Sequence, residues 1–208
     1  MQHLPIRVLA KRFGNVGKRL WYMCQGQDPD TVKLVVNEPK SIGHGKVMPP
    51  NTTDRDVILN YLSHMTEKVA FRLRSHNMVA QSFWIGVRLK QGWIGERYKT
   101  IQPTNDGLLI YHLAASLIEL YWNGDGVYQC QVTARDPQAG QAQLDLFSPV
   151  NHKRETLNRT MDAINQKFGQ RTLVNAQRLQ SLSMPDVIAP AWRPHGVRST
   201  VVLDKKSG

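Results

Sequence analysis

The chain of 208 residues has little cysteine, few carboxylates and no long apolar run. Its two cysteines, Cys24 and Cys130, lie far apart without a C-x-x-C or an adjacent histidine pair, which argues against a disulfide framework or a zinc site. We expect both to be small core residues. No apolar run approaches the roughly 20 residues of a membrane-spanning helix, and the N-terminus lacks the apolar core of a signal peptide. These absences predict a cytoplasmic protein without membrane association.

The patterns of common catalytic sites are absent as well. The seven histidines form no i,i+4 metal pair, and the chain contains no G-x-S-x-G and no P-loop. The aspartates and glutamates fall at a predicted helix start, in turns and along helices, so no cluster of carboxylates is indicated. The sequence therefore predicts no catalytic residue and no metal ligand.

Positive charge is what the chain has in excess. Lysine and arginine number 27 against 16 aspartates and glutamates, which gives a formal charge of +11 and an isoelectric point near 9.9. Such an excess favours a polyanionic partner, nucleic acid before membrane. The length and the 41% hydrophobic content suit one well-buried core with extensions.

The pattern along the chain predicts an α+β fold. The pattern of residues 1–33 predicts two helices joined by a turn that contains Gly14 and Gly17. Such a turn can present backbone N–H groups to a phosphate. Two packed helices with solvated charges fit that pattern equally well. From Glu38 onward the order is β-α-β-β-α-β, with both helices on one face of a four-stranded sheet.

Details of that order are also predicted. The first strand is expected to end at Pro49-Pro50, and Thr53 with Asp56 has the spacing of a capping box. Two helical stripes are expected to face the core: Ile58, Leu62, Met65, Val69 and Leu73 in the first helix, and Leu109, Leu113, Ser116, Leu117 and Leu120 in the second.

One face of this sheet is expected to be open and basic. In "SFWIGVRLK" the apolar side chains alternate with Trp84, Arg88 and Lys90, and Arg97 and Lys99 share a face of the next strand. A phosphate backbone is one occupant of such a face, and an ordinary solvated surface is the alternative. Beyond Asp136 a polar linker, a helix from Lys153 and an extended tail are predicted.

Several motifs resemble a known family. The runs "RFGNVGKRLW", "GQDP", "EPKSIGHG" and "TTDRD", together with the β-α-β-β-α-β order, resemble the C-terminal part of bacterial Y-family translesion DNA polymerases of the SOS-mutagenesis type. The resemblance implies three parts. Residues 1–33 would be the end of the thumb, residues 34–137 the little finger that grips duplex DNA, and residues 138–208 a linker, a clamp-binding motif and a partly helical tail.

The resemblance also implies DNA-contacting residues. By position, one set matches the family's linker strand: Lys40, Ser41, Ile42, Gly43 and His44. A second set matches the little-finger segment that lies along the DNA phosphates: Arg97, Lys99 and Thr100. The implied partner is primer-template DNA, held independently of sequence because phosphate contacts do not read bases.

The segment "QLDLF" is similar to the pentapeptide with which bacterial polymerases bind the sliding β-clamp. Gln143 would supply hydrogen bonds, Leu144, Leu146 and Phe147 would enter apolar pockets, and Asp145 would stay at the rim. The tail resembles the extension to which other SOS proteins bind. A docking segment packed on the protein's own sheet is the alternative for this motif.

The family's chemistry takes place in a palm domain, where carboxylates hold Mg²⁺. The resemblance implies that the palm would precede Met1, so this chain alone is expected to be inactive and without cofactor. A fragment of a longer polymerase, one piece of a split gene and a stand-alone module all fit the sequence. A DNA- or RNA-binding regulatory protein unrelated to polymerases is the competing hypothesis, with Trp84 as its one clear candidate for base stacking.

Overall fold

A computed structural model describes residues 3–28, 38–140, 152–169 and 172–176. The chain divides into two compact units, Met1–Glu38 and Pro39–Gly208. No helix in the described ranges is both long enough and apolar enough to cross a membrane.

The described part of the first unit contains helix α1, Ile6–Cys24, which is kinked at Gly14. Gly14 has φ 59° and ψ −137°, a conformation that glycine adopts without steric cost. Past the kink, Gly17 is buried, and a Cβ at this position would overlap the backbone carbonyl of Leu9. The helical segments before and after Gly14 therefore pack closely against each other. This agrees with the predicted pair of helices joined by a turn, and the turn consists of one non-helical residue, Gly14.

The second unit is an antiparallel sheet with helices on one face. Its elements are β1 (Ser41–Thr52), α2 (Arg55–Ser75), β2 (Met78–Leu89), β3 (Gly92–Thr104), α3 (Gly107–Tyr121), β4 (Val127–Arg135), β5 (Gln138–Ala139) and α4 (His152–Phe168). The strands are ordered β1-β4-β2-β3, and the short β5 pairs with the start of β2. Helix α2 lies over β1 and β4, and α3 lies over β2 and β3. The predicted α+β class and the β-α-β-β-α-β order along the chain are confirmed, with β5 as an addition.

The core lies between the sheet and its helices. All five residues of the predicted α2 stripe are fully buried, as are Phe83, Ile85 and Val87 of β2. The stripe predicted for α3 is correct at Leu117, which is buried, and at Leu113, which packs against the core, but it was wrong at Leu109 and Leu120, which are exposed. Ile110, Ala114 and Ile118 are buried as well. Helix α3 is apolar nearly all round, so periodicity does not select its buried face.

Two other local predictions need correction. The N-cap of α2 is Asp54, whose carboxylate accepts hydrogen bonds from the N–H groups of Asp56 and Val57, and not Thr53. Strand β1 continues through Pro49 and Pro50 to Thr52, because β1 is an edge strand and its register with β4 shifts beyond Val47. Of the two cysteines, Cys130 is buried as predicted, and burial raises its pKa to about 12, whereas Cys24 is only partly buried.

Helix α4 is attached to the second unit by ion pairs. Arg74, near the end of α2, donates to Asp162 of α4 at 2.6 and 2.9 Å and to Glu67 at 2.6 Å. Arg154 of α4 donates to Asp106, the N-cap of α3, at 3.0 Å. The helix that follows the linker is thus part of the second folded unit.

Candidate nucleic-acid interface

The sheet face opposite the helices is formed by alternate residues of four strands. Antiparallel register aligns them in four rows across β1, β4, β2 and β3: Ser41–Arg135–Ser82–Lys99, Gly43–Thr133–Trp84–Arg97, Gly45–Gln131–Gly86–Gly95 and Val47–Gln129–Arg88–Trp93. We call this surface the open face. It combines cations, two tryptophans, small residues and neutral polar residues, and none of its positions is a carboxylate.

Four cations lie on the open face: Arg88, Arg97, Lys99 and Arg135. All four are exposed, and none of them forms an ion pair within the part of the chain that the structure describes. Arg97 and Lys99 are two residues apart on one strand, so their Cα atoms are about 6–7 Å apart. Arg135 was not among the predicted contact residues, although it alternates with Gln129, Gln131 and Thr133 and could have been found from that pattern.

Three predicted contact residues lie beside the open face instead of on it. Lys90 falls in the tight turn after β2, which ends at Leu89, so its expected place on the strand was wrong. Lys40 precedes β1, and its carbonyl accepts a hydrogen bond from the N–H of Asp136 at 3.0 Å. The hydroxyl of Thr100 donates to the carbonyl of Gln102 at 2.6 Å, near an irregularity in the pairing of β2 and β3.

The linker-strand residues of β1 divide between the two faces. Ser41 and Gly43 lie on the open face, whereas Ile42 is fully buried in the core and His44 points to the helical side. A Cβ at Gly43 would come within 2.7 Å of the hydroxyl oxygen of Thr133, so there is no room for a larger side chain beside Thr133. Side chains of Ile42 and His44 are therefore not available to a ligand on the open face.

His44 lies in a strongly positive environment. Burial, with the nearby charges of Lys68, Arg72 and Lys46, lowers the pKa of His44 from 6.5 to about 4. Arg72 of α2 reaches the same strand and donates from Nη1 to the carbonyl of Gly43 at 2.8 Å, and burial lowers its pKa. Arg72 thus lies at the free edge of β1, in addition to the cations of the open face.

The remaining predicted sites are placed as follows. Gly14 and Gly17 belong to the first unit, and their contact with phosphate stays a prediction. The residues Gln143 to Phe147 lie outside the described residues. Across the described ranges no three histidine, cysteine, aspartate or glutamate side chains could together hold a metal ion.

Comparison with known proteins gives the family. Residues 39–146 match the C-terminal domain of the impB/mucB/samB family, a segment that contains all four strands of the open face. The chain belongs to this family. Membership of the impB/mucB/samB family confirms the resemblance to the C-terminal part of Y-family DNA polymerases.

Three relatives illustrate the relationship. The chain is 29% identical over 178 residues to the UV-damage repair protein UvrX of Bacillus subtilis (strain 168), a match that covers 83% of this chain and 43% of UvrX. It is 28% identical over 182 residues to DNA polymerase IV 2 of Halalkalibacterium halodurans, a match that covers 84% of this chain and 44% of that polymerase. The DNA repair protein homolog YobH of Bacillus subtilis is 28% identical over 125 residues, covering 58% of each. The chain thus spans less than half the length of the first two relatives.

Proposed function

We propose that the second unit holds primer-template DNA through its phosphates, as the non-catalytic DNA-gripping part of a polymerase that acts in DNA repair. The observation that carries the proposal is the open face, with four exposed cations and no carboxylate. A sheet this broad can lie along a duplex and place several cations on its phosphates at once. Because phosphates are the same at every base pair, such a grip does not depend on sequence.

The free edge of β1 supports a second kind of contact. The carbonyl of Gly43 accepts from Arg72, so Gly43 points its backbone groups away from β4 and toward the edge, and Gly45 has the same parity. Neither residue has a side chain to block a phosphate from the N–H groups. This fits the implied role of the Lys40–His44 strand, with a backbone contact at Gly43, because Ile42 and His44 have the opposite parity and turn their backbone groups toward β4.

Salt dependence of duplex binding tests the proposal. If each of the four cations neutralises one phosphate, a plot of the logarithm of the affinity against the logarithm of the salt concentration has a slope of about −3.6. The affinity then falls about 150-fold between about 50 and 200 mM salt. Fluorescence anisotropy with a labelled duplex measures this slope. The variant Arg88→Gln, Arg97→Gln, Lys99→Gln, Arg135→Gln is expected to bind weakly and with a nearly flat salt dependence. An affinity of the unmodified chain that is indifferent to salt would contradict the proposal.

We also propose that Gln143, Leu144, Asp145, Leu146 and Phe147 tether the protein to the bacterial sliding β-clamp. All five match the clamp-binding pentapeptide in sequence. Support comes from the described residues on either side, which are both fixed to the second unit. The N–H of Gly140 donates to the carbonyl of Asn77 at 2.7 Å, and α4 is held through Arg154 and Asp106.

A pull-down with the clamp tests the tether. The variant Leu146→Ala, Phe147→Ala is expected to abolish clamp binding without lowering the thermal stability. The matched control removes the same residue types from exposed positions of α4, Leu157→Ala with Phe168→Ala, and should still bind the clamp. If the first variant unfolds the protein, the segment belongs to the core and the tether is wrong.

A further inference from the structure

Two tryptophans form a supported pair on the open face. Trp84 lies in the second row and Trp93 in the fourth, and their rings meet edge to face with centroids 5.4 Å apart. Trp93 is 42% exposed although it is among the largest apolar side chains of the chain. An exposed aromatic ring that is held in place by a second ring is a preorganised contact surface for a ligand.

The third row explains how the pair is held. Gly86 and Gly95 are register partners between Trp84 and Trp93, and a Cβ at either one would come within 2.7 Å of the six-membered ring of Trp84. The indole of Trp84 therefore lies directly over two glycines, and a side chain at either position would displace it. Trp93 in turn rests against this ring, so its orientation is fixed by the sheet.

Cations adjoin both rings. Arg88 is the register partner of Trp93, and Arg97 is the register partner of Trp84. Cations alone can bind the phosphates of a duplex. An aromatic ring adds binding energy only when an unpaired base is free to stack on it. Aromatic rings interleaved with cations are the usual arrangement in surfaces that bind single strands.

We propose that Trp93, supported by Trp84, stacks an unpaired base of single-stranded DNA while Arg88 and Arg97 hold the flanking phosphates. The inference rests on the proposed binding of DNA by the open face and adds a second substrate state to it. A duplex presents no free base to this surface and would use the cations alone.

Three labelled DNAs test the inference by fluorescence anisotropy: a single strand, the duplex of the same length and the same single strand with abasic sites in place of its bases. Trp93→Ala is expected to weaken binding of the normal single strand by about tenfold, the typical effect of losing one stacking ring. Binding of the duplex and of the abasic strand should change by less than about twofold, since neither offers a base to stack. Trp93→Phe keeps a ring and should keep most of the affinity.

A matched control is Tyr121→Ala, which removes an exposed aromatic ring from α3 on the helical side and should leave all three affinities unchanged. If Trp93→Ala does not fold, quenching of tryptophan fluorescence in the unmodified chain replaces it, and the single strand should quench more than the duplex at saturation.

Equal weakening of single strand and duplex by Trp93→Ala, an unchanged affinity for the single strand, or equal quenching by both would overturn the stacking inference. These results are distinguishable from failure of the proposed function. The proposed function fails if neutralising Arg88 and Arg97 leaves duplex binding intact, whatever the result at Trp93.

Discussion

The two faces of one sheet carry opposite chemistry within the same strands. In β2, Phe83, Ile85 and Val87 are fully buried beneath the helices, while Trp84 and Arg88 alternate with them on the open face. Burial removes apolar surface from water and dictates what the helical side can contain. The open face is under no such constraint, and its cations and its lack of carboxylates fit the proposed binding of a polyanion.

The largest loss of stability is expected on the helical side of the sheet. Phe83→Ala removes a fully buried ring and leaves a cavity, which should lower the free energy of unfolding by about 3–5 kcal/mol in urea denaturation. Ile101→Ala is the matched control in β3, because Ile101 is 97% exposed and its change should stay within about 0.5 kcal/mol. Similar losses for the two variants would show that the helical side is not the main core.

A smaller loss is expected where α4 joins the helical layer. Arg74→Ala removes the mostly buried guanidinium that bonds both Glu67 and Asp162, which should cost about 3 kcal/mol in the same measurement. The pair Arg159 and Glu155 on α4 is the control. Its arginine side chain is 75% exposed against 9% for Arg74, so Arg159→Ala should cost less than about 0.5 kcal/mol. An equal loss in the free energy of unfolding for both variants would mean that the Arg74 ion pairs do not hold α4 in place.

The stability of the protein should depend on pH through His44, which lies on the helical side of β1. Burial and the adjacent cations hold the pKa of His44 at about 4, below its ordinary value of 6.5, so the folded state binds fewer protons than the unfolded state between these two values. Stability is therefore lost as the pH falls from 6.5 towards 4, by about 1–2 kcal/mol after allowance for solvent screening.

Urea denaturation at both ends of this range measures the effect of His44. His44→Gln should lose less stability than the unmodified chain over the same interval, because the glutamine does not titrate. An identical loss in both proteins would mean that His44 does not face the cations in the folded state.

The predictable parts of the fold are those that one short segment determines. The α2 stripe and the alternation of β2 follow from periodicity within about 20 and 10 residues, and both were found from the sequence. The buried side of α3 was found only in part, since a helix that is apolar nearly all round can bury any side and tertiary packing decides. The link between Arg74 and Asp162 spans 88 residues, and no local pattern indicates it.

The candidate site shows the same division. Alternation assigned Arg88, Arg97 and Lys99 to one face, and the structure places them there. The rows across the sheet depend on strand order and register, which join Trp84 to Gly86, Gly95 and Trp93 from two strands. Lys90 was misplaced by the position of a two-residue turn, which a strand pattern locates only approximately.

The open face, and not the positive charge of the whole chain, is proposed to bind DNA. Two variants that lose the same charge test it directly, Arg97→Gln with Lys99→Gln on the open face and Lys153→Gln with Lys167→Gln on α4. In duplex anisotropy over a salt series, the open-face pair should weaken binding more than about tenfold and reduce the salt slope by about 1.8. The α4 pair should change affinity by less than about twofold. Equal losses for the two pairs would contradict the account.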